Sequence, residues 1–433
     1  MAATLDQPMR AKRRVLLAAL MGTAVEYYDF FIYGTAAALV FGPLFFPASS
    51  SAAQTLLAFV SFSLAFFARP VGAIAFGHFG DRIGRKSTLV ASLLTMGIST
   101  FAIAFLPTYA TAGWVAPALL CLMRFGQGFG LGGEWGGAAL LTAEHAPAGW
   151  ESRFVSIMQL GSPIGYIAAT SLFLVLGLML DDAQFMAWGW RVPFLGSAVL
   201  VGLGLWVRLR IEESPQFQAT IDREETLRVP LVEILSRHGW QLVAGAAGVV
   251  STFALFYLAT SFALALAVDR LGYPREAFLG LQLGANVFYI AGILLCGRLS
   301  DRFGVRRVLM ASACLTVLVG LVFEPGLRSG SMVTAGASLG VTLLVLGLNS
   351  GSLGSWLATL FPVRARYTGV SLAFTLGGIL GGAAVPLGAP MLVVQGADPT
   401  TRELLLTAGL ATFLGALLGR SRRQDSLQQG LTT

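Results

Sequence analysis

The chain has 433 residues, of which 55% are hydrophobic and only 12% are charged. Soluble domains carry about twice that fraction of charged residues, so a water-soluble fold is excluded and an integral membrane protein is indicated. The net charge of +7 is dispersed over short loops, which fits contact with anionic lipid headgroups and argues against nucleic-acid binding.

Apolar segments of about 20 residues, the length that crosses about 30 Å of hydrocarbon, predict an all-α membrane protein with twelve transmembrane helices. These segments are 15–40, 54–77, 87–107, 114–142, 154–180 and 187–209, then 239–268, 277–298, 307–324, 332–358, 367–394 and 401–419. The connection 210–238 divides a first six-helix half, 15–209, from a second, 239–419. Residues 1–14 and 420–433 form short terminal segments.

Basic residues are distributed unequally between the two ends of these predicted helices. Of the 29 Lys and Arg residues, 22 fall on the side of the termini, five on the other side and two inside helices. Cytoplasmic loops of membrane proteins carry the excess of Lys and Arg. Both termini are therefore expected in the cytoplasm.

The sequence contains no pattern typical of a metal site, a cofactor site or a catalytic centre. The cysteines, Cys121, Cys296 and Cys314, fall in different predicted helices, and the three histidines lie at loop ends. Zinc sites and disulfide frameworks need closer spacings, and no Ser-His-Asp set or phosphate loop is visible. We therefore expect neither an enzyme nor a metalloprotein.

Two similar loops occur at equivalent positions of the two halves. GHFGDRIGRK, at 77–86, joins the second and third predicted helices, and GRLSDRFGVRR, at 297–307, joins the eighth and ninth. Glycine permits a tight turn, and the carboxylates of Asp81 and Asp301 can accept hydrogen bonds from a helix N-terminus. Two six-helix halves with this Gly-x3-Asp-Arg-x-Gly loop resemble the major facilitator superfamily.

That resemblance implies two pseudo-symmetric halves that alternate access to a site at the membrane midplane. In the superfamily the loop acts as a latch on the cytoplasmic side while the protein opens outward. The latch residues implied here are Gly77, Asp81, Arg82, Gly84 and Arg85, with Asp301 and Arg302 in a weaker second copy.

Charged residues deep inside predicted helices all belong to the first half: Glu26, Asp29, Arg69, Arg124 and Glu134. Each costs about 2.5–3.5 kcal/mol at mid-helix. At 1.5 Å per residue, depth permits ion pairs of Arg124 with Glu26 or Asp29, and of Arg69 with Glu134. Static ion pairs are one interpretation. Proton-binding carboxylates, whose protonation would release an arginine for an anionic substrate, are the other.

Four strings make the resemblance more specific: GTAVEYYDFFIYG, ARPVGAIAFGHFGDRIGRK, RFGQGFGLGGEWGGA and EESPQF. Together they resemble the metabolite:proton symporters, which include permeases for oxoglutarate, citrate, shikimate and proline or betaine. This implies a bacterial plasma (inner) membrane protein that uses the proton gradient and no cofactor. Residues implied to line the cavity or couple it to protons are Glu26, Tyr27, Asp29, Arg69, Arg124, Gln127, Glu134 and Trp135, and Tyr33 shares the face of Glu26 and Asp29.

The second half offers polar and aromatic candidates in place of buried charge. Candidate cavity residues there are Tyr257, Asn286, Tyr289, Asn349 and Trp356. The prediction is a proton-coupled symporter whose partners are an anionic small molecule, protons and lipid, because buried arginines favour a carboxylate. A carrier of a zwitterion such as betaine or of a polyol, and an exporter of drugs or metabolites, are the alternatives.

Overall fold

The computed structural model describes residues 9–47, 51–82, 84–209, 230–383 and 401–419. These residues are almost entirely helical, and eleven of their helices are long and apolar enough to cross a membrane. The remaining predicted segment, 367–394, starts as a helix at Arg366 and is described as far as residue 383. The predicted all-α membrane architecture is therefore confirmed.

The spanning helices follow one another in two sets of six. The first half contains α1 (Met9–Ala36), α2 (Ser51–Gly80), α3 (Arg85–Ile103), α4 (Val115–His145), α5 (Glu151–Met179) and α6 (Val192–Arg208). The second half contains α7 (Gly239–Tyr257), α8 (Arg275–Phe303), α9 (Val305–Leu327), α10 (Met332–Leu360), α11 (Arg366–Gly378) and α12 (Thr401–Leu418). A short helix, Pro230–Arg237, precedes α7.

The two halves pack in the same way internally. Helix α2 packs along α4 in the first half, and α8 packs along α10 in the second. Likewise α1 lies against α5, and α7 lies against α11. Between the halves, α2 contacts α11 and α8 contacts α5. Equivalent helices thus make equivalent contacts, as the internal repeat predicts.

The halves meet closely at one end of the bundle, here named the latch end, which carries the connection from α2 to α3, with Asp81, and the connection from α8 to α9, next to Asp301. The Asp81 carboxylate accepts hydrogen bonds from the backbone N–H groups of Tyr367 and Thr368, at 3.3 and 3.0 Å, and from the Thr368 hydroxyl at 2.8 Å. These N–H groups belong to the first turn of α11, where the helix dipole favours a negative charge. Asp81 therefore ties the first half to the second.

Asp301, in the second half, makes the corresponding contact with the first half. Its carboxylate lies 2.8 Å from Nε of Arg153 and faces Ser152, and both residues belong to the first turn of α5. Each loop ends in a glycine with a positive φ, 111° at Gly84 and 89° at Gly304, a conformation that glycine adopts without steric cost. The two loops therefore form the same kind of contact.

A glycine precedes each loop at a point where the backbone of the other half approaches closely. A Cβ atom added to Gly77 would lie 2.9 Å from Cα of Thr368, and one added to Gly297 would lie 3.2 Å from Cα of Arg153. Carbon atoms pack favourably at about 3.5–4.0 Å. The latch end can therefore close this tightly because these two positions carry no side chain.

The loop arginines Arg82 and Arg302, which the resemblance assigns to the latch, contact near neighbours in sequence in this structure. Arg82 contacts His78, near the end of α2, at 3.1 Å, and Arg302 lies over the ring of its neighbour Phe303. Both side chains are exposed, and the side chain of Arg85 lies outside the described residues. Of the two repeated loop motifs, the aspartates contact the first turn of a helix in the other half, Asp81 on α11 and Asp301 on α5.

We predict that Gly77→Leu opens the latch end, because the new side chain must occupy the position of the Thr368 backbone. Overpacking of this kind costs about 1–3 kcal/mol, which shifts a two-state population about 5- to 150-fold. Spin labels at positions 82 and 302, in a chain whose three cysteines are replaced by alanine, should move apart. Gly280→Leu is the matched control, since a Cβ there meets no atom within 4 Å. Equal distances in both variants would contradict the prediction.

Candidate functional site

A cavity lies between the two halves near the middle of the bundle. Its walls come from α1, α2 and α4 on one side and from α7, α8 and α11 on the other. The lining residues are Glu26, Tyr27, Phe30, Arg69, Leu131, Thr252, Phe253, Phe256, Tyr257, Tyr289 and Phe374. Five of the residues singled out in the sequence are therefore brought together here: Glu26, Tyr27, Arg69, Tyr257 and Tyr289.

Arg69 is the basic residue of this lining. Its guanidinium carbon lies 5.0, 4.9 and 5.8 Å from the ring centroids of Phe30, Phe66 and Phe253, whose faces attract a cation. The side chain is only 6% exposed, and Nε has no hydrogen-bond partner among the described residues. A buried guanidinium with an unused donor is suited to bind an anion.

Arg124 shares the Phe30 ring with Arg69 but does not belong to the lining. Its guanidinium carbon lies 4.8 Å from the centroid of Phe30, 4.1 Å from that of Tyr33 and 4.5 Å from that of Phe62. Nε donates to the Phe62 carbonyl oxygen at 3.1 Å, and Nη1 donates to Oε1 of Gln127 at 3.0 Å. This charge is therefore stabilised inside the first half.

A hydrogen-bond chain leads from Arg124 to Asp29. Gln127 accepts from Arg124 and donates through Nε2 to the Thr100 hydroxyl at 2.8 Å. The Thr100 hydroxyl donates to Oδ2 of Asp29 at 2.9 Å, and no side chain of the four is more than 1% exposed. The predicted direct pair of Arg124 with Asp29 is therefore replaced by a connection through two neutral side chains.

Arg69 and Glu134, the charges predicted to pair deeper in the first half, each have another neighbour or surface in this structure. Glu134 accepts a hydrogen bond from the Ser92 hydroxyl on α3 at 2.9 Å, whereas Arg69 points into the cavity. The residue after Glu134, Trp135, stacks on Phe374 of α11 with centroids 3.5 Å apart and planes within 7°. Trp135 thus closes the cavity toward the latch end.

Three candidates of the second half, Asn286, Asn349 and Trp356, lie outside this lining. Asn349 donates through Nδ2 to the Thr316 hydroxyl on α9 at 3.1 Å. The ring of Trp356 packs against Gly248 of α7. Asn286 lines a smaller neighbouring cavity together with Tyr289. The structure therefore places Asn349 and Trp356 in contacts between helices of the second half.

Several lining residues give no individual signal in the sequence, because phenylalanine, leucine and threonine are common in membrane helices. They are Phe30, Leu131, Thr252, Phe253, Phe256 and Phe374. A signal does exist in the repeat, since aromatic residues follow the same i, i+3, i+4 spacing at Tyr27, Phe30 and Phe31 of α1 and at Phe253, Phe256 and Tyr257 of α7. Of these residues, Tyr27, Phe30, Phe253, Phe256 and Tyr257 line the central cavity, and Phe31 lines the two neighbouring cavities.

We predict that Thr100→Val destabilises the first half, because it leaves Asp29 and Gln127 buried without their common partner. Each unsatisfied polar group costs about 1–3 kcal/mol. Thr100→Val should unfold in detergent at a clearly lower temperature than the wild type, whereas Thr100→Ser, which keeps the hydroxyl group, should unfold near the wild-type temperature. Thr407→Val is the matched control, since that hydroxyl is exposed and donates only to α12 carbonyl oxygens. Equal unfolding temperatures for the two valine variants would show that the hydrogen-bond chain from Arg124 to Asp29 does not contribute to stability.

Comparison with known proteins agrees with this architecture. The family model described as "Sugar (and other) transporter" matches residues 15–231. The chain is 44% identical to the inner membrane metabolite transport protein YhjE of Escherichia coli (strain K12), over 98% of this chain and 99% of YhjE. It is 37% identical to the shikimate transporter of the same strain, over 94% of each.

Among solved structures, the proton:xylose symporter XylE of E. coli has the same fold. It matches with a TM-score of 0.74 at 17% identity, over 95% of each chain, and it is described as a member of the major facilitator superfamily. The chain therefore belongs to the sugar (and other) transporter family, and it is a multi-pass membrane transporter of metabolites with the fold of the major facilitator superfamily.

Proposed function

We propose that the protein is a proton-coupled symporter of a small organic acid and that Arg69 binds the carboxylate. The observation that carries this proposal is the position of Arg69, buried between the two halves with Nε unused among the described residues. Guanidinium groups bind carboxylates in a bidentate, charge-assisted manner. One relative is a shikimate transporter, and shikimate is itself a carboxylate.

The closed latch end supports alternating access, with the cavity approached from the other end. A second cavity adjoins the central one and shares Phe30, Phe256 and Tyr257 with it. Its further lining includes Thr35 on α1 and Gln282 on α8, so it leads away from the latch end. The charge bias of the loops puts the latch end and both termini in the cytoplasm of a bacterial plasma membrane. Substrate would then enter from outside.

Asp29 is the proposed proton site. Its Oδ1 atom has no hydrogen-bond partner among the described residues, so a proton can be held there while Oδ2 keeps its bond to Thr100. Protonation removes a buried negative charge at the end of the chain that leads through Gln127 to Arg124. Arg124 and Arg69 flank the same Phe30 ring. A change in the electrostatic environment of Arg124 would therefore act close to Arg69, the proposed binding group for the substrate carboxylate. The proton gradient, with no cofactor, then supplies the energy.

We predict that Arg69→Lys lowers uptake of the transported acid at least about tenfold, because a lysine cannot reproduce bidentate binding. The measurement is uptake of labelled oxoglutarate, citrate, shikimate, benzoate, betaine and glucose into proteoliposomes with an inward proton gradient. Arg402→Lys is the matched control, since that residue is exposed and lies at the opposite end from the latch. Normal uptake by Arg69→Lys would overturn the assignment of the carboxylate site.

We predict that Asp29→Asn abolishes accumulation against a gradient and retains counterflow, because asparagine imitates the protonated carboxylate permanently. Wild-type accumulation should collapse when a protonophore is added, whereas counterflow should not. Asp182→Asn, an exposed site, is the control. Unchanged gradient-driven accumulation after neutralisation of both Asp29 and Glu26 would exclude proton coupling through these carboxylates.

A further inference from the structure

Aromatic rings dominate the central cavity and come from both halves of the protein. Seven of its eleven lining residues are aromatic. The rings of Phe253 and Tyr257 are parallel within 12°, and Phe374 lies 5.0 Å from Phe253. Aromatic faces and edges bind flat or cyclic groups by stacked and edge-to-face contacts. Such walls favour a flat or cyclic ligand body over an extended polar chain.

The charge of the cavity limits the ligand to a single carboxylate. Arg69 is the basic residue of the lining, and the lining also contains the carboxyl group of Glu26. Arg124 is separated from this space by Phe30 and already donates to Phe62 and Gln127. A second carboxylate on the ligand would lie among rings or near Glu26, and an unpaired buried charge is strongly disfavoured.

Thr252 provides a neutral polar contact in the same cavity. It lines the cavity from α7 and is 8% exposed. Its Oγ1 atom has no hydrogen-bond partner among the described residues, although buried hydroxyl groups normally have one. A ligand hydroxyl is the chemical group that completes this site, because it can donate to and accept from Oγ1.

We propose that the ligand is a hydroxylated ring monocarboxylate, aromatic or alicyclic. Its carboxylate lies on Arg69, its ring between the aromatic side chains, and its hydroxyl on Thr252. This inference rests on the proposed function, since it assumes that Arg69 binds a carboxylate. Arg69 and Thr252 belong to different halves, so the ligand connects the halves at the middle of the bundle. Thr252 is thereby a specificity-determining residue.

Equilibrium binding to the detergent-solubilised full chain tests the ligand class without requiring any proton gradient. The ligand-induced rise in unfolding temperature is titrated with para-hydroxybenzoate, shikimate, benzoate, citrate, oxoglutarate and betaine. We expect the ring monocarboxylates to bind at least about tenfold more tightly than citrate or oxoglutarate. Preferential binding of citrate or oxoglutarate would overturn the inference and leave the carboxylate carrier standing. Binding of betaine with none of the five acids bound would overturn both the inference and the proposed organic-acid substrate, although the betaine carboxylate could still bind Arg69.

A second titration tests the hydroxyl contact. Thr252→Val should weaken binding of para-hydroxybenzoate about two- to tenfold, the loss expected for one hydrogen bond, and leave benzoate unchanged. Thr375→Val is the matched control, because that buried hydroxyl donates to the Leu372 carbonyl oxygen and does not line the cavity. If Thr252→Val weakens both acids equally, or neither, the hydroxyl contact is overturned.

Discussion

A positive charge inside a membrane protein has to be stabilised by the protein itself, and the first half is built around two guanidinium groups that meet this constraint differently. Arg124 lies over three aromatic rings and uses two of its donors within the fold. Arg69 also lies over rings, but its Nε donor is unused among the described residues. Nη2 of Arg124 is also without a partner among the described residues, but of the two arginines Arg69 is the one that lines the cavity, where the proposed ligand would supply the missing partner.

The two halves are alike in their contacts at the latch end and unlike in the residues that they contribute to the cavity. At the latch end each half presents an aspartate to the first turn of a helix of the other half, Asp81 to α11 and Asp301 to α5. At the middle of the bundle the first half contributes the charges, and the second contributes Thr252 and most of the rings. Pseudo-symmetry suits a rocking motion, whereas one small asymmetric ligand needs unlike walls.

Phe30 connects the proposed proton site to the proposed substrate site. Its ring centroid lies 5.0 Å from the Arg69 guanidinium and 4.8 Å from that of Arg124. The chain from Asp29 through Thr100 and Gln127 ends at Arg124. In the proposed mechanism a change in charge at Asp29 would reach the cavity through contacts that already exist, with no displacement of a helix between the two sites.

The sequence by itself determined the helices, the internal repeat, the transporter family and the depth of each buried charge. These properties depend on local hydropathy, on loop motifs and on the constant rise of a helix. It did not determine which way each side chain points across the bundle. Each residue turns the helix by about 100°, and the neighbouring helix is distant in sequence. Arg124 and Asp29 are therefore at matching depth yet joined through Thr100, and the roles of Thr252 and Phe30 emerged only when tertiary packing brought the two halves together.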